Sequence, residues 1–259
     1  LDIRDAAVAE LIERRQPEVV FHLAAQIDVR VSVADPVLDA MINVIGSLNV
    51  LEGARRAGTR KVVFASSGGT IYGAPGGADL PIKESQPQIP ISPYGVAKKA
   101  VGDYLAAYRE LHQLEYTALA LANVYGPRQD PHGEAGVVAI FAGRLLADEP
   151  CTVYGDGEQT RDYVYVDDVV DAFVRASEKG GGLVINIGTG VETSVNDLYA
   201  PLARVAGVDR AAVLAPAREG EVPRSALDAS RAAMQLGWKP WTDLAAGSAA
   251  VLDYFRTRG

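Results

Sequence analysis

The chain has 259 residues, 48% of them hydrophobic and 22% charged, with 33 acidic against 25 basic side chains and a formal net charge of −8. This is the balance of an ordinary globular protein long enough to bury a full α/β core, and the negative charge disfavours nonspecific binding to nucleic acid or anionic lipid. A single cysteine, Cys151, excludes an internal disulfide; no uninterrupted apolar run reaches membrane-spanning length, and Leu1-Asp2-Ile3-Arg4-Asp5 has no signal pattern, so a soluble cytoplasmic protein is expected.

Three short apolar, β-branched segments read as strands buried on both faces of a parallel sheet: Glu18 to Ala25, Lys61 to Ser67 and Tyr116 to Asn123. Helical patterns separate them. Asp35-Pro36 opens one that runs to about Ala57 and stops at Gly58, and Pro93 opens another that continues towards His112. Strand alternating with helix predicts a doubly wound Rossmann-like α/β fold, with ligands at the carboxyl ends of the strands. After Gly126 come a polar, turn-rich stretch, a helix from about Val137, a short strand from Cys151 to Tyr154, a helix capped by Asp167 and a strand from Val184 to Gly188. The expected division is a Rossmann-like part, residues 1–126 and 161–188, and a smaller C-terminal substrate lobe, residues 127–160 and 189–259. A dinucleotide fold begins with a strand, a Gly-rich turn and a helix that holds the pyrophosphate. Nothing of that kind precedes Glu18, and Gly68-Gly69 and Gly180-Gly181-Gly182 stand in the wrong context. The first βα units of the fold are therefore expected to be absent from this chain.

Tyr94-Gly95-Val96-Ala97-Lys98 sets a phenol and an ammonium one turn apart on the same helix face. A phenol ionises near pH ~10, so it serves as a base at neutral pH only where a fixed positive charge favours the phenolate. Lys98 offers that charge, although the bare spacing is equally that of a solvated helix face.

In order along the chain stand His22-Leu23-Ala24-Ala25, Ser66-Ser67-Gly68-Gly69-Thr70-Ile71-Tyr72-Gly73, Ser92-Pro93-Tyr94 through Lys98, and Asn123-Val124-Tyr125-Gly126-Pro127-Arg128. Together they resemble the extended short-chain dehydrogenase/reductases. Arg161-Asp162-Tyr163-Val164-Tyr165-Val166-Asp167-Asp168 and Arg218-Glu219-Gly220-Glu221-Val222-Pro223 are similar to the nucleotide-sugar branch of that family, and to its UDP-sugar 4-epimerases in particular.

The resemblance implies an enzyme that inverts C4 of a UDP-hexose through a transient 4-keto sugar, with NAD as cofactor. Tyr94 is then the base at the sugar 4-hydroxyl, and Lys98 holds the nicotinamide ribose and keeps the phenolate charged. A small hydroxyl usually completes this site, but an ungapped count back from Tyr72 places Gly68 there. Ser67 is preferred as its replacement, with Thr70 the alternative, and Ser66 and Ser67 as plain strand-terminating residues remain a competing reading. On the cofactor side the resemblance implies Asp2 and Ile3 at adenine, Leu23, Ala24, Ala25, Gln26 and Ser66 along the strand ends, and Asn43 beside them. A backbone carbonyl is the other candidate partner for Asn43, a polar residue in an apolar helix. On the substrate side it implies Asn123, Arg161 and Arg218 at the diphosphate, Tyr154 on the uracil, Glu221 at ribose hydroxyls, and Val137 and Ser225 lining the pocket. A small residue at Ser225 leaves room for an N-acetyl group at C2.

Rival readings are a dehydratase, decarboxylase or keto-reductase of the same branch, and a non-catalytic nucleotide-binding protein. Dehydratases of this type carry an acid pair where this sequence has Gly69-Thr70. Sensor proteins lose the Tyr and Lys that are present here. His22 in its apolar strand reads as a packed core histidine, and no metal site is expected. The helices opening at Pro36 and Pro93 correspond to the pair that builds a homodimer in such enzymes; Val101, Leu105, Tyr108 and Leu111 fit that interface or packing on the sheet.

Overall fold

The computed structural model describes residues 1–74, 80–131, 136–217 and 222–257. Its centre is a four-stranded parallel sheet of β1 (Val19–His22), β2 (Lys61–Ser67), β3 (Glu115–Leu121) and the strand Leu183–Ile187, in that spatial order. The register is regular, pairing Val63 with Thr117 and Leu119 with Ile185. Because side chains alternate along a strand, each strand feeds two cores. Val63, Leu119 and Ile185 point to one face with Val169, Phe173 and Trp238, while Val62, Phe64 and Ala118 point to the other with Leu51, Val101 and Leu105.

Residues from the chain's end close the first of these cores. Ala232, Leu236 and Trp238, grouped with the substrate lobe by sequence, pack against the sheet, and Trp238 Nε1 donates to the Asp168 carbonyl at 2.7 Å. A third core joins Tyr125, Phe141, Val153, Leu198, Leu202, Val251 and Leu252.

The predicted helix from Pro36 to Ala57 exists but is not uniform. It runs as α-helix over Pro36–Ala40, as a π-helical turn over Met41–Ile45, and as α-helix over Gly46–Ala57. By length and composition these 22 residues are apolar enough to cross a bilayer, yet Asp39, Asn43 and Ser47 lie buried on the face it turns to the protein. The helix Pro93–His112 matches the sequence reading: the Ser92 side chain accepts from Gly95 N at 3.2 Å, Pro93 occupies the first turn, and Gln113 ends it in the left-handed conformation. One capping expectation fails. Val166–Glu178 begins after Tyr165 with no side-chain cap, and Asp167 lies inside its first turn, where a carboxylate favours the helix dipole without capping it. Gly68-Gly69 likewise opens a short helix, Gly68–Ile71, directly at the end of β2.

Candidate active site

The carboxyl end of β2 and the first turns of the helix Pro93–His112 meet at the site. Gly95 makes that approach possible: a β-carbon on it would stand 2.7 Å from the Thr70 carbonyl oxygen. The close contact brings Tyr94 beside Ser67. Both Tyr94 and Lys98 are buried, Lys98 to 4% exposure. Burial pushes the Tyr94 phenol up to about 12, partly offset by its hydrogen bond with the Ser67 side chain and reinforced by the charge of Asp39. Burial also lowers Lys98 to about 8, against the opposing pull of Asp39. The ammonium donates to the Ala65 carbonyl at 2.8 Å and lies 4.7 Å from the Phe64 ring centre and 5.7 Å from that of Tyr94. It is held against β2 rather than bonded to the phenol. Thr70 Oγ1 turns back towards the Ser67 carbonyl, at 3.5 Å, a long contact for a hydroxyl.

Gly68, where the family commonly has a hydroxyl, is buried under Leu227, with Cδ1 of that residue 2.4 Å from where a β-carbon would stand. Leu227 belongs to a segment pinned from two sides. Its amide donates to Asp162 Oδ2 at 3.1 Å, and the flanking Ile82 amide donates to Ala226 O at 2.8 Å.

The strand end Leu23–Gln26 follows β1 with Leu23 exposed and Gln26 half-buried. Asn43 takes the backbone partner: its Oδ1 accepts from Gln26 N at 2.9 Å and its Nδ2 donates to Gln26 O at 2.9 Å. His22 is the core histidine expected. It meets Ser47 Oγ at 2.8 Å, and burial, with a smaller effect of the Lys98 charge, lowers it to about 4. At the start of the chain the Asp2 carboxylate is bridged to Arg4 at 2.8 Å. The Ile3 side chain packs against Gly46, and its carbonyl accepts from Asn49 Nδ2 at 2.9 Å.

On the opposite side, Asn123 N donates to the Asp162 carbonyl at 2.9 Å, and Asn123 pairs with Tyr163 in a short parallel ladder. Ser225 is buried, Tyr154 is 36% exposed, and Val137 packs on the lobe core. Arg218 and Glu221 lie outside the described residues.

Two buried acids escaped the sequence reading. Asp162 accepts from Thr189 N and Oγ1 and from the amides of Gly190 and Leu227, tying together three segments around the site. Asp39 accepts from Gln26 Nε2 and Asn43 Nδ2. An acid inside the apolar run Pro36-Val37-Leu38-Asp39-Ala40-Met41-Ile42 was the available signal.

A parallel sheet with a buried Tyr-Lys pair and a serine at the end of the neighbouring strand is the arrangement of an extended short-chain dehydrogenase/reductase. The chain belongs to the NAD dependent epimerase/dehydratase family, whose sequence model matches residues 1–188. It is 51% identical to the UDP-glucose 4-epimerase of Mycolicibacterium smegmatis over 258 residues, 99% of this chain and 82% of the relative. The UDP-glucose 4-epimerase of Thermotoga maritima, solved with UDP-glucose, superposes with a TM-score of 0.95 at 47% identity, covering 100% of this chain and 84% of the other. The Thermus thermophilus UDP-glucose 4-epimerase, solved with NAD, gives 0.92 at 41% identity, with 99% and 83% covered.

Proposed function

We infer that this protein is an NAD-dependent epimerase that inverts C4 of a UDP-hexose, interconverting glucose and galactose forms. The observation that carries this reading is the grouping of Tyr94, Ser67 and Lys98 at the carboxyl end of β2, in a chain whose relatives of 46% and 51% identity carry that activity in their names. The residues suit the cofactor: small Ala24 and Ala25 clear a path at the strand end, and Lys98 stands as a fixed cation beside the base. Bound NAD supplies the oxidant for C4 and gives the reducing equivalent back.

In this site Tyr94 removes the proton from the 4-hydroxyl and later returns it. A phenol raised to about 12 is a weak base at neutral pH, so ionisation has to be favoured by positive charge arriving with the ligands and by Lys98. Ser67 donates to the sugar oxygen as charge develops on it. Asn123, Arg161 and Arg218 hold the diphosphate, Tyr154 and Glu221 the nucleoside, and Val137 and Ser225 line the pocket. Leu23, Ala24, Ala25, Gln26 and Ser66 face the cofactor, with the buried Asn43 holding Gln26 from behind and Asp2 and Ile3 at its adenine end.

The division into a Rossmann-like part and a substrate lobe is supported by the separate core around Tyr125 and Phe141. The enzyme is read as cytoplasmic and as a homodimer. Val101, Leu105 and Tyr108 are turned to the sheet, so the dimer face is the exposed stripe Val37, Met41 and Ile45 with Val96, Tyr104 and Leu111. Incubation with NAD and UDP-glucose tests the activity. C4 inversion without net cofactor reduction is expected, and steady accumulation of reduced cofactor with every UDP-sugar sinks the epimerase reading.

A further inference from the structure

Asp39 is 1% exposed, and its two carboxyl oxygens have unlike surroundings. Oδ1 accepts from Gln26 Nε2 at 2.9 Å and from Asn43 Nδ2 at 2.8 Å, while Oδ2 is buried without a hydrogen-bond partner. Asn43 in turn clasps the Gln26 main chain through both its amide atoms. The π-helical turn Met41–Ile45 places Asn43 where it can make that clasp. The three side chains therefore form a closed polar cluster that fixes the segment following β1.

An asparagine at position 39 would accept the same two bonds without bringing a carboxylate into the protein. Burying an acid with one unsatisfied oxygen is costly: burial raises the Asp39 carboxyl above its ordinary range, opposed by its bonds to Gln26 and Asn43 and by the Lys98 charge, so its ionisation is the feature that needs a reason. The titratable groups that feel it are Lys98 and Tyr94 on the helix Pro93–His112, and His22 on β1 in turn faces Lys98.

We propose that Asp39 is a positioning residue of this site: through Asn43 it locks Gln26 into the surface against which NAD lies, and it sets a negative charge opposite the Lys98 ammonium. The NAD part of this rests on the epimerase reading.

Asp39→Asn and Asp39→Ala separate the two roles. Asparagine keeps the latch and removes the charge. Tyr94 then ionises, and Lys98 discharges, at lower pH, so both limbs of the kcat profile with UDP-glucose are expected to move down by about one unit, with NAD affinity near wild type. Alanine opens the cluster, which is expected to weaken NAD binding by about tenfold and to speed hydrogen exchange at the Gln26 amide, thermal unfolding confirming that the variant folds. A D39N profile that superimposes on wild type, or D39A with unchanged NAD affinity and unchanged Gln26 exchange, overturns the proposal. Wild-type protein that neither binds NAD nor inverts a UDP-sugar overturns the epimerase reading instead. Gln26 exchange in D39A then still decides the latch, acceleration upholding it and wild-type exchange removing it.

Discussion

A β-carbon on Gly68 would stand 2.4 Å from Leu227 Cδ1 and 3.2 Å from the Ala120 carbonyl oxygen. Leu227 is fully buried with Ile71, Tyr72, Ile82 and Ala120, so it has little room to withdraw. Packing leaves no room for a side chain at position 68, where relatives commonly carry a hydroxyl and this sequence has Gly, and the preferred serine one residue earlier lies beside the phenol. Gly68→Ser is therefore expected to cost about 1–3 kcal/mol through overpacking, and adding Leu227→Ala to recover part of that loss. Denaturant unfolding of the two single variants and the double variant gives the coupling energy; strictly additive effects would show that Leu227 does not set the identity of residue 68.

The neighbouring hydroxyls separate by geometry. Thr70 Oγ1 is turned to the Ser67 carbonyl at 3.5 Å, whereas the Ser67 side chain lies beside the Tyr94 phenol and favours its ionisation. Ser67→Ala is expected to lower kcat by about 10²-fold, Tyr94→Phe by about 10²–10⁴-fold, and Thr70→Val by far less. Steady-state rates with UDP-glucose rank the three, and a Thr70→Val loss equal to that of Ser67→Ala would return the role to Thr70.

His22 makes stability depend on acid. Its folded pKa lies near 4, below the ordinary value of 6.5, because burial and the Lys98 charge disfavour the imidazolium. The unfolded chain thus takes up a proton that the folded chain refuses. The stabilisation is complete above pH 6.5 and is lost as pH falls towards 4, by on the order of 3 kcal/mol. His22→Gln can still bond Ser47 and cannot titrate, so the wild type is expected to lose stability relative to this variant across that window. Chemical unfolding at pH 7, 5.5 and 4 checks it, and parallel curves would remove His22 as the source.

Much of the geometry of the candidate site is legible in the sequence because its main elements are set locally. Pro93 and Ser92 open a helix that carries Tyr94 and Lys98 on one face, and the apolar runs of β1, β2 and β3 have no stable place except a doubly covered sheet. Long-range contacts were not legible. That Leu227 would cover Gly68 and Asp162 would hold Leu227 depends on residues 65 or more positions apart in sequence. The π-helical turn at Asn43 also leaves no mark in an apolar pattern, since one turn of different pitch barely shifts which residues are buried. Asp39 was the visible anomaly, and its partner Gln26 sits 13 positions away on a different element.

On the proposed epimerase reading, the segment around Ser225 is the one that bears on substrate choice. Pro223 O accepts from Thr160 N at 3.0 Å, Ala226 O accepts from Ile82 N at 2.8 Å, and the Leu227 amide is held by Asp162. Main-chain bonds on both sides of Ser225 fix where its buried side chain lies. A bulky residue there cannot swing away with the backbone, so it has to project where the Ser225 side chain now lies. Wild-type protein is accordingly expected to turn over UDP-N-acetylglucosamine as well as UDP-glucose. Ser225→Tyr is expected to cut turnover of the N-acetylated sugar by about tenfold or more, a clash of about 1.4 kcal/mol or above in the transition state. UDP-glucose serves as the internal control for folding and chemistry. Loss of both substrates in parallel would mean that Ser225 supports the segment without lining the C2 pocket, and wild-type inactivity towards the N-acetylated sugar would remove the specificity assignment.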